Sequence, residues 1–359
     1  MKLTVYVQKL CFKDFGLFFV SRKDAKALRR TQLLIPMQCS KCGTKVQVGD
    51  RFCEECGTPL NVISSTGGCE KCGAPLEEID ADGFCFRCGF RQENLQDDRF
   101  EVVPCVNLAG VSDRGLRHQR NEDYVACACI DRNTYVLVVC DGVSSSQSPE
   151  LAAKAAAETA CRALTNAVEP PNPPNIGGQA SQQNAMKVAI AEAMTSVCAI
   201  EYTSITGTEP PSTTIVAAVV VDSTATIGWL GDSRAYWISP HCVQQLTKDD
   251  SWLNDVVSVG EMSEVEARKS PHAHAITRWL GADAENSEPS IVNFQIPGSG
   301  HLLLCTDGLW NYTPELLQLE AIVNGDKDAV AVARRLVQFA LSSGGHDNIS
   351  VAILSLGVC

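Results

Sequence analysis

Short apolar runs, each opened or closed by an acidic residue, dominate the chain from residue 102 onward. Val136-Leu137-Val138-Val139-Cys140 leads into Asp141-Gly142, and Thr226-Ile227-Gly228-Trp229-Leu230 leads into Gly231-Asp232-Ser233-Arg234. Leu302-Leu303-Leu304-Cys305 leads into Thr306-Asp307-Gly308, and Asp347-Asn348 precedes Ile349-Ser350-Val351-Ala352-Ile353-Leu354. Continuous apolar runs of this length predict buried strands. The pattern predicts strands over 102–111, 124–129, 135–140, 213–221, 225–230 and 235–238. It predicts helices over 149–164, 185–202, 316–322 and 329–341, the first Ala-rich with Pro149 at its start. The segment 169–183, rich in Pro, Gly, Asn and Gln, reads as a surface loop. Strands follow strands and helices come in pairs. That order favours antiparallel sheets flanked by helices over alternating βαβ units.

A strand ending in Asp-Gly delivers a carboxylate to the rim of a sheet beside a turn. One such end is more often a plain hairpin end than a ligand. Several meeting in one cleft repel one another unless hard cations lie between them. The set therefore points to magnesium or manganese.

Cysteine marks a second kind of site. Of the chain's 18 cysteines, eight lie in four Cys-x-x-Cys-Gly knuckles: Cys39 and Cys42, Cys53 and Cys56, Cys69 and Cys72, Cys85 and Cys88. Cys39 to Cys69 and Cys42 to Cys72 are both 30 residues apart, and Cys-Gly-Thr-Pro-Leu at 56–60 recurs as Cys-Gly-Ala-Pro-Leu at 72–76. Two knuckles surround one tetrahedral zinc, and the following glycine permits the turned backbone. The simplest pairing gives two zinc ribbons, 37–60 and 67–90; a crossed pairing and an iron–sulfur site stay open. Redox use of Cys-x-x-Cys lacks its strand–helix context here. Ribbons this small need metal to fold.

The formal net charge of -12 argues against a nucleic-acid-binding surface. Residues 37–90 carry five Lys or Arg against eight Asp or Glu, which disfavours a DNA-reading ribbon. A docking or regulatory module for proteins is the better reading. Residues 1–36 are basic, with eight Lys or Arg and two Asp, and lack a secretory layout. A targeting segment, a basic arm and an upstream-start artefact compete for them, and Met37 makes the artefact the favoured reading. Residues 91–101 read as a linker and 102–359 as the catalytic domain. No run of about 18 apolar residues predicts a membrane span. Ten cysteines scattered in apolar runs, without a secretion signal, fit a reducing cytoplasm.

Two further motifs complete the set. Arg117-His118-Gln119-Arg120-Asn121-Glu122-Asp123 lies upstream of it, and Thr213-Thr214 opens an apolar strand. With Ile276-Thr277-Arg278-Trp279-Leu280-Gly281, their order over about residues 105–356 resembles the PPM family, the metal-dependent Ser/Thr protein phosphatases also called protein phosphatase 2C. The resemblance implies an α+β fold: a four-layer α-β-β-α sandwich of two antiparallel sheets with metals at one end. It implies hydrolysis of phosphoserine and phosphothreonine in proteins by a water that two Mn2+ or Mg2+ ions activate. Asp141 would bridge the two ions, the Gly142 carbonyl would bind one, and Asp307 and Asp347 would hold the other. Glu122 and Asp123 would orient water. Asp232 would help bind a third, weaker ion with Asp307, or simply cap a turn. The Asn348 amide and the Thr213-Thr214 hydroxyls read as structural.

Two positions depart from the family. His118 stands where relatives carry a phosphate-clamping Arg, with Arg117 and Arg120 expected to point elsewhere. Val143 stands where some relatives carry His. His118 would then bind phosphate or donate a proton to the leaving alkoxide. Residues 247–274 match the family's mobile flap, in which His272 and His274 read as surface residues. Phosphoproteins that are targets of Ser/Thr kinases are the expected partners. The alternative function is a non-catalytic scaffold whose ribbons bind protein.

Overall fold

A computed structural model describes residues 37–38, 45–46, 69, 71–75, 78, 85–89, 98–168, 179–203, 208–240, 242–323 and 328–357. The basic leader, the first ribbon's four cysteines and most of the linker lie outside the described residues. In the ribbon region β1 (Met37–Gln38) pairs antiparallel with β2 (Lys45–Val46).

The larger unit opens with β3 (Arg99–Cys105), β4 (Leu108–Asp113), β5 (Asp123–Cys129) and β6 (Thr134–Asp141), followed by helices α1 (Pro149–Val168) and α2 (Gln179–Cys198). A short β7 (Ser212–Thr213) precedes the meander β8 (Ile215–Val221), β9 (Thr224–Leu230), β10 (Arg234–Ser239) and β11 (Cys242–Gln245). Helices α3 (Trp252–Ser258) and α4 (Glu264–Ala267) build the flap. Then come β12 (Leu280–Gly281), β13 (Ser290–Gln295), β14 (Gly300–Cys305), α5 (Asp307–Trp310), α6 (Leu317–Val323), α7 (Ala329–Ser343) and β15 (Ile349–Leu356).

Two antiparallel sheets carry the fold. One has the order β11-β10-β14-β15-β4-β3, the other β13-β9-β8-β6-β5. Strand β6 shows why they stack. Tyr135, Leu137 and Val139 face the space between the sheets, where Val216, Ala218, Leu302, Leu304, Ala352 and Leu354 meet them. Val136, Val138 and Cys140 face the other way, onto Ala152, Ala156, Ala160 and Leu164 of α1 and Met186, Ile190 and Ala193 of α2. A strand buried on both faces needs no polar alternation, which explains its unbroken apolar run. On the far side, Val332, Ala333, Leu336, Val337 and Ala340 of α7 cover Leu303, Val351 and Ile353. Three cores between four layers give the α-β-β-α sandwich.

The structure corrects two expected elements. The run 102–111 is a hairpin, β3–β4, whose partners Cys105 and Leu108 leave Val106 and Asn107 as the link. The register shifts between Val102 and Cys105, and Pro104 lies there on an edge strand, where its missing N–H costs no ladder bond. The turn carries no glycine. Its anchors are long-range: Ser355 N–H donates to the Asn107 carbonyl at 2.8 Å, and Asn107 Nδ2 donates to the Tyr135 hydroxyl at 3.0 Å. Second, α2 starts at Gln179, inside the segment expected to be loop to 183. Gln182 is buried, and the Thr226 hydroxyl donates to its Oε1 at 2.8 Å. Tertiary bonding overrides the polar look of that turn.

Candidate metal centre

Five carboxylates reach one end of the sandwich from separate elements. Asp123 opens β5 and Asp141 closes β6, directly opposite each other in the ladder. Asp232 sits in the turn between β9 and β10, Asp307 begins α5, and Asp347 lies two residues before β15. Gly308 shows how tightly two of these segments meet. A Cβ there would lie 1.8 Å from the Asn348 carbonyl oxygen, so only glycine lets the start of α5 touch the Asp347-Asn348 turn.

The carboxylates act on one another. Burial raises Asp141 well above the ordinary carboxylate range, and the charges of Asp123, Asp307, Asp232 and Asp347 raise it further. Burial also raises Asp307 well above that range, with Asp232, Asp347 and Asp123 adding to it. Burial pushes Asp123 up to about 7, against the pull of the Thr306 hydroxyl, which donates to its Oδ2 at 2.9 Å. Asp232 is pushed up to about 7 by burial and then by the charge of Asp249. Two buried oxygens, Asp123 Oδ1 and Asp307 Oδ1, have no hydrogen-bond partner. Buried oxygens that no protein donor satisfies, in a cluster whose charges repel, fit a hard divalent cation.

Backbone contacts hold the frame. Thr214 N–H and the Thr213 hydroxyl both donate to the Asp141 carbonyl, at 2.8 and 2.9 Å. Gly142 bridges to Thr213 and donates its N–H to the Glu122 carbonyl at 3.1 Å. Asn348 ties three points together. Its Oδ1 accepts from Glu122 N–H at 2.7 Å, and its Nδ2 donates to the carbonyls of Arg114 and Arg120 at 2.7 and 3.0 Å. The Glu122 side chain turns to Arg120 and Ser144, which donate to its two oxygens at 2.9 and 2.5 Å.

His118 lies at the mouth, with Nε2 3.2 Å from Asp347 Oδ1. Arg120 turns to the carboxylates of Glu122 and Glu150. Residues 114–122 form turns rather than a strand, so strand alternation does not apply, and Arg120 Nε turns to Glu122. Ser144 and Arg120 were missed as partners of Glu122, because only folded turns bring them to it.

The ribbon region gathers the other kind of ligand. Cys69, Cys72, Cys85 and Cys88 place their sulfurs within 4.8 Å of one another. Cys69 lies 3.6 Å from Cys88 and Cys72 lies 3.5 Å from Cys85. A tetrahedron of thiolates around zinc at about 2.3 Å sets sulfurs about 3.8 Å apart. Gly73 and Gly89 adopt φ of +69° and +66°, and each donates its N–H to the first cysteine of its knuckle at 2.8 Å. The third and fourth knuckles therefore share one site. Cys39, Cys42, Cys53 and Cys56 lie outside the described residues.

Known proteins match both regions. A protein phosphatase 2C model matches residues 114–339. The chain belongs to the protein phosphatase 2C family. Phosphatases of this family are metal-dependent. A double zinc ribbon model matches residues 39–89, in front of the phosphatase unit. The serine/threonine phosphatase stp of Listeria monocytogenes serotype 4b (strain F2365) is 36% identical over 143 residues, 40% of this chain and 56% of that protein. The chain thus spans about half the length of the curated relatives it matches first. The solved serine/threonine phosphatase Stp1 from Staphylococcus aureus superposes with a TM-score of 0.59 at 25% identity, covering 72% of this chain and 97% of that one. The Mycobacterium tuberculosis phosphatase PstP/Ppp gives 0.54 at 25% identity, covering 69% and 97%. No described helix is long and apolar enough to cross a membrane.

Proposed function

We propose that this chain hydrolyses phosphoserine and phosphothreonine in cytoplasmic proteins that Ser/Thr kinases have modified, using Mn2+ or Mg2+. The observation that carries the reading is the meeting of Asp123, Asp141, Asp232, Asp307 and Asp347 around two buried oxygens without partners. Asp141, the Gly142 carbonyl, Asp307 and Asp347 would hold two ions, and Asp232 with Asp307 a third. The ions, when bound, supply an acidified nucleophilic water and offset the charge that builds on the phosphoryl group.

The chain's own residues do the rest. Asp123, fixed by Thr306, and Glu122, fixed by Arg120 and Ser144, orient solvent at the cleft. His118 stands at the mouth with Nε2 beside Asp347, from where it would donate a proton to the leaving serine or threonine alkoxide. Val143 leaves no competing acid at the family's other histidine position. The two ribbons, 37–60 and 67–90, each hold one structural zinc and serve targeting or regulation. The linker is shorter than the expected 91–101, because β3 already joins the phosphatase sheet from Arg99, and residues 1–36 are dispensable to both units.

Purified protein given manganese should release phosphate from phosphothreonine and phosphoserine peptides, and Asp141→Asn should abolish the release. Absence of release from any phosphopeptide at saturating metal would reject the reading.

A further inference from the structure

A cavity of about 290 Å³ opens beside the carboxylate cluster, between the Gly231-Asp232 turn and the flap. Its size suits one or two side chains rather than a large ligand. It adjoins the cluster directly, because Asp232 belongs to both. Trp310, on its wall, ends the single turn of helix that Asp307 begins. Trp310 also donates its indole N–H to the Asp232 carbonyl at 3.0 Å. One helical turn is about 5.4 Å, and an extended peptide advances about 3.3 Å per residue. A peptide whose phosphate sits on the carboxylate cluster therefore reaches the cavity within about three residues.

The walls are fixed. Arg234 forms a two-pronged pair with Asp249, at 2.8 and 2.6 Å, and stacks 3.6 Å over the Trp310 ring. That pair neutralises its own two charges. The flap's base is pinned as well: Asp250 N–H donates to the Gly231 carbonyl and Thr277 N–H to the Asp250 carbonyl, both at 2.9 Å.

Beyond Asp232 and the Arg234–Asp249 pair, the charged lining is cationic. Lys248 is exposed and enters no ion pair among the described residues. Arg268 pairs only along its own helix, with Glu264 at 2.6 Å, and both side chains are more than half exposed. Such a surface pair is weak and exchangeable. His274 adds a further donor. The flap thus presents two cations, Lys248 and Arg268, to a cavity that adjoins the cluster.

We propose that this cavity seats an acidic side chain of the substrate, so that the chain selects phosphoresidues with Asp or Glu within three positions. The proposal deepens the phosphatase reading and rests on it for the placement of the phosphate.

The test measures affinity, so it does not depend on turnover. Two fluorescent peptides share one phosphothreonine; one carries Glu at the flanking positions, the other Gln. Their binding to the full-length Asp141→Asn protein is compared by anisotropy, in that background and with Lys248→Glu and Arg268→Glu added. The Glu peptide should bind about tenfold tighter than the Gln peptide, as expected for two added charge pairs at a partly shielded site. The double charge reversal should abolish or invert that ratio while binding of the Gln peptide holds. Equal affinities for the two peptides, or a ratio that survives the reversal, would overturn the proposal. Hydrolysis of an aryl phosphate by the unmodified protein with manganese separately tests the phosphatase reading.

Discussion

The chain gathers ligands in two opposite ways. The second ribbon brings Cys69, Cys72, Cys85 and Cys88 together from one short local stretch, where among the described residues Ala74 and two of the cysteines themselves form the buried apolar set. The phosphatase end brings five carboxylates from elements between Asp123 and Asp347, each delivered by a strand or helix that three separate cores already hold. In the ribbon the ligands are the core, so metal makes the fold. In the sandwich the fold comes first and forces like charges together, so metal relieves a strain that folding creates. A ligand is structural where nothing else holds its segment, and functional where everything else does.

The sharpest way to break this contrast is to remove one ligand of each kind. Asp141→Asn and Asp307→Asn should lower turnover by several orders of magnitude, since each replaces an anionic group proposed above to hold a catalytic cation. The metal-free fold should survive or gain in melting temperature, because repulsion falls. Loss of the cooperative melting transition in either variant would refute the view that the sandwich stands without its ions. Cys85→Ser should do the reverse. Bound zinc measured by elemental analysis should fall by about one equivalent, as expected where four thiolates share one ion, while aryl phosphate turnover stays. Unchanged zinc would reject the pairing of the third and fourth knuckles.

His118→Ala should cost roughly 10²-fold if the histidine is a general acid. The loss should be larger on phosphoserine than on an activated aryl phosphate, which leaves without a proton. Equal losses on both would leave only phosphate binding.

Acidity gives the smallest and most graded effect. Asp123 and Asp232 move from an ordinary 3.8 to about 7 in the folded state. The folded protein therefore binds more protons than the unfolded chain between those values. Their contribution to stability is fully present below about pH 4 and is lost as pH rises through about 7. With metal chelated, the melting temperature should decline across that window, and added manganese should flatten the decline. A metal-free protein that gains stability across the same window would contradict the crowding of the carboxylates.

The contrast also explains what the sequence revealed. Asp141, Asp307 and Asp347 were readable because buried strands end abruptly and the acid falls at the end. The knuckles were readable because their ligands are local. Arg120, Ser144 and Asn311 were not. Arg120 and Ser144 reach Glu122 through turns whose geometry leaves no periodic trace, and Asn311 reaches Asp307 Oδ2 at 3.2 Å along a single helical turn too short to show a period. The β3–β4 turn hid inside an apolar run because its anchors, Tyr135 and Ser355, are far away in sequence. Strands β11 and β13 were missed for a related reason. They are edge strands, only partly buried, so a weak apolar signal suffices. The cavity was invisible altogether, since its walls come from residues 232 to 310 and only the folded flap encloses it.

Strand β15 sits in the middle of its sheet, between β14 and β4, although it comes after every other described element. During synthesis it emerges after both of those neighbours. Until then β4 and β14 have no neighbour between them, Asn348 cannot bind the turns that carry Glu122 and Arg120, and Asp347 is absent. A nascent or truncated chain therefore lacks the assembled site, whatever metal surrounds it.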